Sequence, residues 1–580
     1  MIQLLTLAAV LAASARLDAQ TAMAYFDQAA GELKTKNWAA AIADYDRAIA
    51  LDPNFAQAYN NRGSAKHSKN DLKGALADFG RAIALDPNYA EAYNNRGIAK
   101  LSANDRAGAI ADLDRAVALN PNYARAYHNR GSVKLSRNDW FGALADLNRA
   151  IALDPAYAVA YFDRGNAKQG KNDRDGALAD FDRAIALDPT YAPAFHSRGL
   201  ARRAKNDWYG AIADLDRAIA LDPNYAAAFF SRGSAKQDKQ DWDGTIADLD
   251  QAIALNPNLA RAYGLRGEAK MAKDDWEGAT ADFDRAIALD PSYVDALTSR
   301  GRANLAKEDW AGAVTDFDRA IALRPNHASA LSHRGRAKLA QDDWEGAIVD
   351  FTRAIALNPS YAEAYDGRGL AKIAQGNWDA AIADLDRAIA LNPSYAQAYN
   401  SRGLAKRAKS DWNRAIADFD RAIALNPNYA QAYNNRGIAN EASGEFDRAR
   451  SDYTKCISLE PKGSNYVRFR LALVLRRQGA EEGTVGLTVM LRGPGNGWTK
   501  AVAQFLSGTL SESGLLDQAS VGDAKTVRRH QCEAYYYSGM AHLLKRESAK
   551  ARSSFEQCTA TGVTGAEEFT LAKAELARKR

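Results

Sequence analysis

A proline stands at every thirty-fourth residue over most of this chain. Pro53, Pro87, Pro121, Pro155, Pro189, Pro223, Pro257, Pro291, Pro325, Pro359, Pro393, Pro427 and Pro461 follow one another at equal intervals of 34, with no insertion or deletion. A constant period of this size means stacked supersecondary units. Each unit fails to bury its apolar face alone and is held by its neighbours. The 580 residues therefore need no single central core. A long repeated surface also suits binding better than catalysis.

Numbered so that its proline is position 32, repeat 1 begins at Ala22 and repeat 13 ends at Gly463. In residues 90–123, Tyr93 is position 4, Gly97 position 8, Ala109 position 20, Leu113 position 24 and Ala116 position 27. This spacing lines apolar and small residues along one side of two helices. Asn104-Asp105 and Asn138-Asp139 form the polar turn between them, and both residue types tolerate left-handed backbone. Gly97 and Ala109 let the helices approach. The residue before each proline, Asp or Asn in all but two repeats, is pushed toward extended backbone, which stops the second helix.

The pattern resembles the tetratricopeptide repeat (TPR) family, with its aromatic at 4, small residues at 8, 20 and 27, and proline at 32. The resemblance covers residues 22–463. It implies an all-α fold, a right-handed α-α superhelix of about thirteen repeats whose first helices (A) line the inner face and whose second helices (B) lie outside. Repeat 1 departs from the rest, with Gln28 and Ala29 where later repeats have Arg and Gly; terminal repeats meet solvent on one side. Position 17 is Trp in nine repeats, from Trp38 to Trp412, and is expected to pack between helices.

A second regularity carries charge. Position 7 is Arg from Arg62 to Arg436, and position 23 is Asp from Asp44 to Asp452. Position 11 is often Lys, as in Lys66 and Lys100. Family members usually carry apolar or aromatic residues at 7 and 23, facing each other between A and B. Opposite charges there predict structural ion pairs, Arg62 with Asp78 and Arg96 with Asp112, that fix register more than they add stability.

The resemblance also points helix A positions 2, 5, 6, 9 and 12 into the groove. Position 5 supplies Asn60, Asn94, Asn400 and Asn434; position 6 supplies Asn61, Asn95, Asn129 and Asn435, with Ser197, Ser231, Ser299 and Ser401 between. A carboxamide donates to and accepts from a peptide backbone, so these eight asparagines are the expected peptide-binding residues. They are similar to the asparagine ladder of O-linked N-acetylglucosamine transferases. The middle of the face varies, with Phe162, Phe230, Leu265 and Met271.

Charge and motifs limit the function. Residues 464–580 carry 17 Lys+Arg against 11 Asp+Glu, and residues 1–463 carry 59 against 60. A near-neutral array lacks the basic stripe that nucleic acid requires. No Gly-rich phosphate loop, GxSxG or placed carboxylate pair is present, so no catalytic residue and no cofactor are assigned. The seven histidines form no metal spacing, and His327 and His333 read as surface residues. Leu4–Ala13 is an apolar run followed by Ala13-Ser14-Ala15, the outline of a signal peptide over residues 1–20. This predicts a periplasmic or secreted protein, with a cytoplasmic one as the alternative. No stretch reaches the length of a membrane span. Cys456 takes a small-residue slot at position 27. Cys532 and Cys558 sit at positions 1 and 27 of a later hairpin, and are expected to form a disulfide.

After Gly463 the register breaks and residues 464–580 read as a helical cap. Tyr466–Gln478 predicts one helix, and Gly493-Pro494-Gly495-Asn496-Gly497 a loop. Trp498, Phe505 and Leu506 start another helix, and Leu510-Ser511-Glu512 the next. Tyr535, Gly539, Ala551, Phe555 and Cys558 restore positions 4, 8, 20, 24 and 27 in a divergent hairpin, and Ala566–Arg578 closes the chain. Trp498, Phe505, Leu510-Ser511-Glu512, Tyr535–Gly539 and Glu568-Phe569…Ala574-Glu575-Leu576 resemble the NlpI family of bacterial envelope TPR lipoproteins. That resemblance implies an adaptor that scaffolds wall-remodelling enzymes. The expected function is a non-enzymatic scaffold binding protein or peptide segments. A spacer in a polysaccharide or protein export machine is the alternative, and a regulatory array of a glycosyltransferase system a more distant one.

Overall fold

Each period folds into two helices because its turn residues end one and start the next. Helix A of repeat 3 spans Ala90–Ser102 and helix B spans Arg106–Leu119. Between them Asn104 takes φ 62°, and Asn70, Asn138, Asn172 and Asn206 repeat this at φ 64°, 60°, 63° and 63°. Gly376 and Gly444 fill the same slot at 77° and 95°. Position 16 then caps helix B: Gly108 N donates to Asp105 Oδ1 at 2.9 Å. Where position 19 is not glycine the cap is long, as with Arg414 N at 3.4 Å from Asp411 Oδ1, or missing, as at Asn37, Asn377 and Glu445. At the far end Asn120 is extended, φ −131° and ψ 91°, ahead of Pro121.

The computed structural model describes residues 2–461, 465–480 and 497–578, and for residues 2–17 the helical backbone alone. Every regular element among the described residues is a helix, in consecutive hairpins. The apolar run of the expected signal segment and residues 493–496 of the expected loop lie outside the described side chains. No helix among the described residues is long and apolar enough to cross a membrane.

Two compact units emerge, Met1–Asp275 and Trp276–Arg580. The division falls inside repeat 8, between helix A at Ala260–Met271 and helix B at Trp276–Leu289. Within each unit the A helices pack on the B helices of their own repeats and on the preceding B helices. Successive A helices also touch one another, whereas successive B helices scarcely meet. The A helices are therefore the inside of the curve within each unit.

The packing is close because position 8 has no side chain. A Cβ on Gly165 would lie 2.6 Å from Phe181 Cε1, and one on Gly97 would lie 3.0 Å from Leu113 Cγ. Phe181 and Leu113 are fully buried as a result. The tryptophans of position 17 open helix B and are half-buried. Trp140 packs on the next repeat, where a Cβ on Gly170 would meet its ring at 2.8 Å.

The second unit ends in the helical cap. Its helices are Asn465–Arg477, Gly497–Leu506, Glu512–Ala519, Ala524–Leu544, Ser548–Ala560 and Glu567–Ala577. Ser511 caps the third of these, its Oγ accepting from Gly514 N at 3.1 Å. The fourth and fifth form a hairpin on the repeat plan: a Cβ on Gly539 would lie 2.5 Å from Phe555 Cε1.

Candidate partner-binding face

The charges at positions 7 and 23 build a clasp. Arg62 Nε and Nη2 donate to Asp78 at 2.8 and 2.6 Å, and its Nη1 donates to Asp46 of the preceding repeat at 2.5 Å. Arg96 grips Asp112 at 2.8 and 2.7 Å, and Lys100 adds a second cation at 2.7 Å. The aspartates are buried and the arginines mostly so. Burial opposes the Arg62 charge, but Asp78 and Asp46 outweigh it and hold the guanidinium above its ordinary pKa. For Arg96 the hydrogen bond to Asp112 is the leading cause of the same rise. One side chain thus ties its own A and B helices to the previous B helix. These residues are consumed by the fold.

The asparagines behave differently from eight free amides. Asn95 Nδ2 donates to Asn60 Oδ1 at 3.1 Å, and Asn129 Nδ2 donates to Asn94 Oδ1 at 2.8 Å. Within a repeat, Asn60 and Asn94 donate to Asn61 and Asn95 at 3.2 and 3.1 Å. Asn435 Nδ2 donates to Asn400 Oδ1 at 2.9 Å. Position 5 of one repeat therefore meets position 6 of the next. Asn60, Asn94, Asn400 and Asn435 are buried, while Asn61, Asn95, Asn129 and Asn434 are half-buried. A buried carboxamide must find partners, and the neighbouring repeat supplies the nearest one. Other repeats use the same rung with different chemistry, as His128 Nε2 with Asp163 Oδ2 at 2.9 Å and His196 Nε2 with Ser231 Oγ at 2.9 Å.

At the C-terminal end the inner face is already occupied. The closing helix, Glu567–Ala577, packs on helix A of repeat 13, Ala430–Ser443. Asn434 Nδ2 donates to Glu567 Oε1 at 3.3 Å. Arg470, 1% exposed, pairs with Glu567 at 2.5 Å and Glu568 at 2.8 Å. Arg477 pairs with Glu575 at 2.5 Å. Burial pushes Glu567 up, yet Arg470 and Arg407 prevail and hold its carboxyl below the ordinary glutamate range. Asn434 is thus engaged by the chain's own acidic helix. Arg407 Nη1 takes the free acceptor of Asn435 at 3.1 Å.

Two other expectations gain a geometry. Cys532 and Cys558 are buried free thiols with no bond between them; their sulfurs are 3.0 Å apart. Bonding requires about 2.05 Å, so positions 1 and 27 bring them together without closing the bridge. Cys456 is buried, and burial pushes its thiol up to about 11. His327 and His333 are not plain surface residues. His327 Nδ1 accepts from Ala330 N at 3.0 Å as a helix cap. His333 stacks on Phe317 with ring centres 5.8 Å apart. No group of three metal-ligating side chains occurs among the described residues.

Family models agree with this geometry. A TPR repeat model matches residues 32–68, 63–102, 131–172, 199–240, 369–407 and 403–444. Tetratricopeptide repeat models match 230–294, 265–328, 298–362, 430–462, 90–123 and 158–191. The chain belongs to the tetratricopeptide repeat family. Among curated proteins none matches it. Solved structures similar to it include MamA, at 30% identity over 27% of this chain and 93% of that one, TM-score 0.25. YrrB, described as a TPR protein with an unusual peptide-binding site, is 27% identical over 32% of this chain and 95% of its own, TM-score 0.27. The Cut9–Hcn1 assembly of the APC/C is 14% identical over 78% and 96%, TM-score 0.41.

A TPR array is a protein-interaction scaffold in its general role, and one inner-face group of this TPR chain reports on acidity. Burial, then the nearby Arg336 and Arg302, push His333 down to about 4, against its hydrogen bond to the Ser329 carbonyl. The unfolded chain binds that proton near pH 6.5. Stability from this group is full above about pH 6.5 and is lost as pH falls toward 4. Between pH 7 and 5 the wild type should lose about 2 kcal/mol more than His333→Gln. Denaturant melts of both proteins at the two pH values measure this, and parallel losses would refute it.

Proposed function

We propose that this protein is a non-enzymatic scaffold of the cell envelope that holds segments of partner proteins along its A-helix face. One observation carries the reading. The repeats are nearly identical at the packing and clasp positions, whereas the inner face of their A helices varies; position 18 on helix B varies as well. Position 9 alone runs through Ile98, Asn166, Glu268, Arg302, Leu370 and Ile438. A varied inner face on a uniform packing frame is able to select partners.

Photo-crosslinking residues placed one at a time test it. Partners should be captured from Ile98 and Arg302 on A helices. Ala118, exposed on helix B of repeat 3, should capture none. Crosslinks arising only from helix B would overturn the reading.

The envelope assignment is supported by the apolar leader, by the cap's likeness to envelope TPR lipoproteins, and by the facing thiols. An oxidising compartment sustains disulfides, and Cys532 and Cys558 need approach by only about 1 Å to bond. Protein purified from its host should lack Met1. Denatured without reductant, it should titrate one thiol, that of Cys456. An intact Met1 together with three thiols would place it inside the cytoplasm.

A further inference from the structure

We propose that positions 9, 12 and 13 of the A helices in repeats 9–11 form a docking strip for an acidic amphipathic helix of a partner protein. The inference rests on the scaffold reading above and names the chemistry of one partner.

The strip continues a surface that the chain already covers. In repeat 13, positions 12 and 13 are Glu441 and Ala442, and Arg578 Nη2 donates to both carbonyls, to Ala442 O at 3.3 Å. Arg407, at position 12 of repeat 12, lies in the field of Glu567. The occupant there is an acidic helix. Glu567, Glu568 and Glu575 reach arginines, while Leu571, Ala572 and Ala574 are buried.

One repeat further back the same positions turn apolar, and the cap reaches only their edge, where Lys525 pairs with Asp342 at 2.5 Å. They read Leu305-Ala306, Leu339-Ala340 and Ile373-Ala374. The larger residues are half-buried and the three alanines exposed. In the first unit the corresponding pairs include His67-Ser68, Gln169-Gly170 and Gln237-Asp238, so the apolar character is not a demand of the repeat.

Position 9 supplies charge. Arg302 is exposed and Arg336 half-buried. Neither is among the hydrogen-bonded or ion-paired residues described, in contrast to the arginines of position 7. Of the acidic groups near this face, Glu363 and Asp366 stand at positions 2 and 5, nearer the start of the helix, where the buried Asp366 feels the charge of Arg336, and Asp342 in the following turn is paired with Lys525. Packed helices are about 10 Å apart. Carboxylates seven residues apart on a partner helix are separated by about 10 Å as well. A helix running along the strip therefore meets both guanidiniums while its apolar side rests on the leucines and alanines.

The probe is a labelled peptide of residues 566–578, AEEFTLAKAELAR, carrying a photo-crosslinker, with a control whose three glutamates are glutamine. Binding to the full chain is read by fluorescence anisotropy. The acidic peptide should bind at least tenfold more tightly than the control, crosslink near Leu305 and Leu339, and lose at least tenfold on Arg302→Glu/Arg336→Glu. Arg302→Gln/Arg336→Gln replaces that variant if circular dichroism shows that charge reversal disturbs folding. Equal binding to wild type and variant overturns the inference, as do crosslinks confined to the neighbourhood of Arg470, where the peptide has exchanged with the closing helix. If the inference fails, capture at other A-helix positions leaves the scaffold reading standing. Capture at B helices alone removes both.

Discussion

Arg470→Met should release the closing helix. The side chain is buried against Glu567 and Glu568 and reaches Asn434 Oδ1 at 3.4 Å. Met preserves much of the volume, so packing changes little. What changes is charge: two carboxylates lose their main cation in a buried site. Breaking a buried pair on one side costs about 3–5 kcal/mol. The closing helix is short, so this loss falls mostly on it. Hydrogen exchange over residues 566–578 should accelerate about 10²- to 10³-fold, while repeats 2–8 keep their protection. The same anchor has a pH signature. Glu567 is held below the ordinary glutamate range, so its contribution is present above about pH 4.5 and falls away as pH drops through its lowered value. Unchanged exchange in the closing helix of Arg470→Met would show that apolar packing of Leu571 and Ala572 suffices to hold it.

Asp112→Leu should open repeat 3. Removing the carboxylate leaves Arg96 and Lys100 facing each other with no anion at that site, and Arg96 has no aspartate in the preceding repeat because Gly80 stands there. The expected cost is again about 3–5 kcal/mol. Adding Arg96→Leu should recover most of it, since an apolar pair of suitable volume commonly replaces a buried ion pair without loss. Repeat arrays do not melt as one unit, so local exchange across residues 90–119 is the appropriate measurement. A double variant as unstable as Asp112→Leu alone would mean that the ionic pair contributes packing that leucines cannot replace.

The hairpins were legible in the sequence because every signal that makes them is local. Asn104 adopts φ 62° for a reason visible in its own side chain, and Pro121 ends a helix through its immediate neighbour. The pairing of Arg96 with Asp112 was legible too, since two facing positions changed to opposite charges together. The asparagines show where locality stops. Asn60 and Asn61 are adjacent in sequence, yet the one is buried and the other half-buried. Which is which depends on how the next repeat is rotated, and a period cannot report that. The occupied end of the inner face was out of reach for a stronger reason. Glu567 meets Asn434 across 133 residues, and nothing near either residue announces the contact. The arginines at 302 and 336, outside the ladder of clasps, become notable only once the clasped ones have been counted off.

The row of clasps has a mechanical side. Each arginine at position 7 links its repeat to the one before through an aspartate at position 25, as Arg130 does with Asp114 and Arg402 with Asp386. Three joints lack that carboxylate. Gly80 offers Arg96 nothing, Asn148 gives Arg164 a neutral bond at 2.9 Å, and Thr352 gives Arg368 one at 3.2 Å. A chain of like links under tension stretches first at the odd ones. Pulled by its partners, each unit would lengthen at these seams, between repeats 2 and 3 and 4 and 5 in the first and between 10 and 11 in the second. The repeats themselves would stay folded, so the array would act as a spring with chosen points of give.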